Sequence, residues 1–70
     1  MPESEATTIY DIFSGILDHD ALWIVAVSGL RTAIDVMNRI SDKHPGSYFV
    51  FDTMRRSVVA QVSVKLHLVA

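Results

Sequence analysis

Leu22-Trp23-Ile24-Val25-Ala26-Val27 is a continuous apolar run, and the fold turns on whether it is a strand or the opening of a helix. Its valines and isoleucine pack well on a pleated surface and lose side-chain freedom in a helix. A rival spacing exists: Trp23, Val27, Leu30, Ile34 and Met37 stand four, three, four and three apart, which suits one long helix capped by Asp20. That helix would carry Gly29 in its interior, at a cost of about 1 kcal/mol relative to alanine. Residues 22–27 are therefore read as a strand, with the long helix as the open alternative.

On the N-terminal side, Ile9, Tyr10, Ile12 and Phe13 predict an antiparallel partner strand over residues 9–14, and Gly15, Asp18, His19 and Asp20 supply the turn. Residues 1–8 have neither hydrophobic periodicity nor turn chemistry, so a disordered tail is expected there. On the other side, Ser28 is a candidate N-cap for a helix over residues 29–43. Leu30, Ala33, Ile34, Met37 and Ile40 form its apolar stripe, and Arg31, Asp35 and Arg39 its wet face. Pro45 and Gly46 end it.

Ser47 to Asp52 and Ser57 onward predict a hairpin about Thr53-Met54-Arg55-Arg56. Pairing outward sets Phe51 opposite Val58 and Phe49 opposite Ala60, with the phenylalanine side toward the helix. Alternation continues through Val62, Val64, Leu66 and Leu68, so the last strand is drawn over residues 57–68. Its far half outruns its hairpin partner and should pair with the first strand or with another chain. The expectation is one α+β domain over residues 9–70, ordered ββαββ, with a four-stranded antiparallel sheet and one helix on one face.

The totals narrow the functional classes. A chain of 70 residues buries only about 60% of the surface its unfolded form exposes. Half of it is hydrophobic and it has no cysteine, so neither disulfides nor a thiolate zinc site can staple it. Oligomerisation, most simply a homodimer, is the expected support. A formal charge of −2 gives no field for a phosphate backbone, so no nucleic-acid partner is expected. The acidic start lacks the features of a secretory signal, and no run reaches the roughly 20 residues of a membrane span. A cytoplasmic protein without a membrane partner is expected.

The pattern Asp20-x-x-Trp23-x-x-x-Val27-x-Gly29-Leu30-x-x-Ala33-x-x-x-Met37-x-x-Ile40, followed by Pro45-Gly46-x-Tyr48-Phe49-Val50-Phe51, resembles a family of short, uncharacterised bacterial proteins. The likeness spans roughly Tyr10 to Ala60 and consists mostly of core and turn positions. It implies a fold unit, and it carries over no activity and no functional residue.

Asp18-His19-Asp20 is the densest cluster of metal-ligand types, and a small metal-binding protein or enzyme using this loop is the alternative function. Its competing explanation is turn chemistry, since aspartates commonly bond their own backbone in loops. His44 at a helix end and His67 on a strand's polar side would need Asp42 or Asp52 nearby to act as acid or base, and no spacing requires it. No Gly-x-Ser-x-Gly elbow surrounds Ser14, Ser28, Ser57 or Ser63, so no catalytic residue and no cofactor are expected. Gly46-Ser47-Tyr48-Phe49-Val50-Phe51, with Arg55 and Arg56 nearby, bears a weak likeness to the aromatic strand of RNA-recognition modules. The acidic balance opposes that reading.

What remains is surplus apolar surface. If Leu22, Ile24 and Ala26 face the helix, then Trp23, Val25 and Val27 emerge on the bare side of the sheet with Tyr48, Val50 and Val59. The expected contact residues are Trp23, Val25, Tyr48, Val50, Val59, Val64, Leu66 and Leu68. They define a non-enzymatic domain that self-associates through its open face, its C-terminal strand, or both.

Overall fold

The computed structural model describes residues 8–16 and 19–63. Four strands, β1 (Ile9–Ile16), β2 (His19–Ser28), β3 (Ser47–Asp52) and β4 (Ser57–Ser63), and one helix, α1 (Leu30–Lys43), follow in ββαββ order. The sheet is antiparallel throughout with spatial order β2-β1-β3-β4. The apolar run 22–27 is strand, which fits its β-branched content, and the chain turns helical only after Gly29.

That switch depends on glycine. Gly29 sits at the N-cap with φ 91°, a left-handed value that other residues reach only under strain. Its N–H donates to the Thr8 carbonyl at 2.9 Å, and its carbonyl accepts the first helical bond from Ala33 at 3.0 Å. Ser28, read above as the cap, instead closes β2 opposite Ile9. At the far end the His44 N–H donates to the Ile40 carbonyl at 2.8 Å, and Pro45 follows at once.

The helix packs across all four strands. Its buried stripe is Ala33, Met37 and Ser41, with Val36 and Ile40 beside it. The small side chains at 33 and 41 let the helix lie close to the sheet, and the Ser41 hydroxyl is satisfied by the Asn38 carbonyl at 3.0 Å. Leu30, expected in the stripe, is exposed. Beneath the helix, Val25, Ile12, Val50 and Ala60 form one cross-strand row, and Tyr48 and Val62 belong to the next. Ile12 and Val50, on the two central strands, are fully enclosed.

Two bulges, in β2 and β4, and the reversed facing of β3 overturn the expected arrangement. In β2, Val25 pairs with Ile12 but Trp23 pairs with Phe13, so Ile24 is an extra residue and the alternation inverts across it. Val25 and Val27 therefore lie toward the helix, and Trp23 lies away from it. In β4, Phe51 pairs with Val58 as expected, but Val50 pairs with Ala60 and Phe49 with Gln61, leaving Val59 as the extra residue. Phe49 and Phe51 face away from the helix, while Tyr48 and Val50 are buried beneath it. The Tyr48 hydroxyl donates to the His44 carbonyl, which fixes that side of β3 to the end of α1.

The first turn is tighter than the sequence suggests. β1 continues through Gly15 to Ile16 and β2 starts at His19, with positive φ at Gly15 and Asp20 accommodating an irregular register. β1 is bonded to β2 along one edge and, from Tyr10 to Ser14, to β3 along the other. Residues 64–68, drawn above as part of the last strand, and the tail at 1–7 lie outside the described residues.

Candidate interaction surface

The side of the sheet away from α1 is built from the same strands that make the core, by an alternation that the bulges at Ile24 and Val59 interrupt. Register places Ala26, Asp11, Phe51 and Val58 in one row across it and Trp23, Phe13, Phe49 and Gln61 in the next. Phe13 stacks on Phe49 with ring centroids 5.0 Å apart and planes 10° apart. Phe51 meets Phe13 edge-on at 6.3 Å and 86°. Both geometries suit the ring quadrupoles and add to the area the rings bury. Phe49 is only 3% exposed, whereas Trp23 at the sheet margin is 59% exposed.

One charged side chain stands in these two rows. Asp11 accepts a hydrogen bond from the Trp23 indole nitrogen at 3.2 Å, which ties the exposed ring down across the sheet. Ile9 and Ile16 add exposed aliphatic surface on β1. A depression of about 670 Å³ adjoins the aromatic row, with Gly15, Ser47, Phe49, Gln61 and Ser63 in its lining. The Ser47 and Ser63 hydroxyls pair at 3.2 Å.

Of the expected contact residues, Trp23 lies on this face. Val25, Tyr48 and Val50 lie on the helix side, and Val59 is exposed in the β4 bulge. Val64, Leu66 and Leu68 are outside the described residues. Phe49 and Phe51, expected toward the helix, stand here instead, and Phe13 and Asp11 were not among the expected contact residues. The signal for Asp11 was available, because it is the lone charge in the apolar stretch Ile9-Tyr10-Asp11-Ile12-Phe13.

The Asp18-His19-Asp20 candidate falls partly outside the described residues. Asp18 and His67 lie outside the described residues, Asp20 is exposed, and His44 is an exposed helix-capping residue. Among the described residues no group of three or more His, Cys, Asp or Glu side chains is placed to hold a metal ion. Asp52 is buried, and its carboxylate accepts from the Met54 and Arg55 N–H groups at 2.9 and 3.2 Å, shaping the β3–β4 turn. Arg55 reaches the same carboxylate at 3.9 Å from an exposed position, a contact of little energetic weight. Among the described residues no helix is long and apolar enough to cross a membrane. Comparison with protein-family models, curated proteins and solved structures gave no match.

Proposed function

We propose that this chain is a non-enzymatic interaction domain that associates with a second copy of itself through the open face of its sheet. The observation that carries the reading is the pair of cross-strand rows holding Trp23, Phe13, Phe49 and Phe51 on the side that α1 leaves bare. A 70-residue chain without cysteine has few ways to add to a small core, and burying a second apolar face against a copy is one of them. Two such sheets stack about 10 Å apart with strands within about 30° of each other, and a two-fold contact of this kind closes as a dimer.

Size sets the expected strength. Four strands about 4.8 Å apart and six residues at about 3.4 Å each present roughly 400 Å² per copy in projection. That is at the small end of specific interfaces, so a dissociation constant of micromolar or weaker is expected.

The outer edge of β4 is a second surface for the same partner. Ser57–Ser63 contains no charge and no proline to discourage strand pairing, and Val64, Leu66 and Leu68 continue its apolar alternation in sequence. Base stacking would also use aromatic side chains, but Phe49 is buried, Phe13 and Phe51 are half-buried, and the charge standing among them is the Asp11 carboxylate, which opposes a polyanion.

Sedimentation from ~1 to ~500 µM, a range chosen for a small interface, tests the reading. The mass should rise above the 7.8 kDa of one chain, and Trp23→Ala should weaken association at least tenfold, about 1.4 kcal/mol. A single-chain mass at every concentration would refute self-association. An association indifferent to Trp23→Ala would move it from the open face to the β4 edge.

A further inference from the structure

Resting on the self-association reading, we infer that Asp11 is a positioning residue for this contact: it ties Trp23 across the β2 bulge and so presents the indole to the second copy. Asp11 pairs with Ala26 and Trp23 with Phe13, so the hydrogen bond between them spans Val25 and the extra residue Ile24. The bond belongs to this register. If pairing ran on past Ile12 and Val25 without the extra residue, Ile24 would stand opposite Phe13 and Trp23 opposite Ser14. Ser14 follows Ile12 by two on β1 and shares its side, so the indole would then face α1 and turn its back on Asp11. Accepting the indole N–H therefore favours the bulged pairing, the one that sets Trp23 in the aromatic row.

Trp23 is the member of that row with most to gain from being held. It stands on β2 at the margin of the sheet and is exposed, whereas Phe49 in the same row is buried among its neighbours. A side chain that is loose in the free chain loses its freedom when a partner covers it, and the loss weakens association. A ring already fixed avoids it. Tryptophan is also enriched among the side chains that dominate interfaces, so its orientation weighs more than that of most contacts. The carboxylate suits the task, because a hydrogen bond to an ionised acceptor is stronger than one between neutral groups.

Two measurements on the whole chain test this. Trp23 is the single tryptophan, so time-resolved fluorescence anisotropy at a few micromolar follows this ring alone in the dissociated chain. Asp11→Ala should show fast local motion of the indole, whereas wild type and Asp11→Asn, which keeps an acceptor oxygen, should not. Sedimentation then completes a double-mutant cycle with Trp23→Phe, which keeps a ring and lacks the N–H. Asp11→Ala should weaken association about fivefold in wild type and change it less than about twofold in the Trp23→Phe background. Asp11→Asn should stay within about twofold of wild type.

An indole held as firmly in Asp11→Ala as in wild type overturns the tie. Association unchanged or tighter in Asp11→Ala overturns the positioning role, because the carboxylate would then be no more than a charge on the face. Equal weakening in both backgrounds overturns it as well, since the effect would not pass through the indole, and each of these results leaves self-association standing. A single-chain mass for wild type at every concentration overturns self-association and this inference together.

Discussion

Replacing Ile12 with alanine tests the core at its centre, and the same strand supplies the control. Ile12 is fully enclosed, paired with Val25 on one side and Val50 on the other and clustered with Ala33 and Met37 of the helix. Ile9, three residues earlier on β1, is 45% exposed. Ile12→Ala removes three buried carbons, a transfer loss of about 2.4 kcal/mol at about 0.8 kcal/mol each. If the helix cannot settle into the gap, a cavity of about 60 Å³ adds up to about 1.5 kcal/mol. Against a total stability of about 3.5–10 kcal/mol for 70 residues, a loss of about 2.5–4 kcal/mol is severe. Urea unfolding followed by far-ultraviolet circular dichroism at a few micromolar, where a weak dimer is dissociated, measures it directly. Ile9→Ala should lose less than about 1 kcal/mol in the same assay. Equal losses for the two variants, or a loss below about 1 kcal/mol for Ile12→Ala, would refute the assignment of faces on β1.

Variants at two further positions probe the turns that set the registers. Gly15→Ala should cost about 1–3 kcal/mol in thermal unfolding, because its φ of 101° is hostile to a side chain and the new Cβ would stand 3.1 Å from the Asp20 carbonyl oxygen. Asp52→Ala should cost about 1–2 kcal/mol by removing the acceptor for the Met54 and Arg55 N–H groups, whereas Asp52→Asn, which keeps an acceptor oxygen, should cost less than half of that.

Much of the fold was legible along the chain. β-branched residues marked the strands, Pro45 and Gly46 marked the end of the helix, and four turn residues marked the second hairpin, whose first strand falls on residues 47–52 as read. The side of the sheet away from the helix was legible only in outline. That one helix packs on one side of a four-stranded sheet follows from counting elements, but which residues stand on the other does not.

The sequence by itself determined the elements and their order, because these depend on local periodicity, turn chemistry and composition. Tertiary structure alone decided which side chains occupy each face of the sheet. β2 and β3 are apolar on both sides, so period-two alternation sorts their residues into two sets without saying which set meets the helix. The bulges at Ile24 and Val59 then exchange the sets partway along their strands. A single extra residue costs little locally and reverses everything beyond it, and the packing of Ile12, Val50 and Tyr48 against α1 selects the outcome.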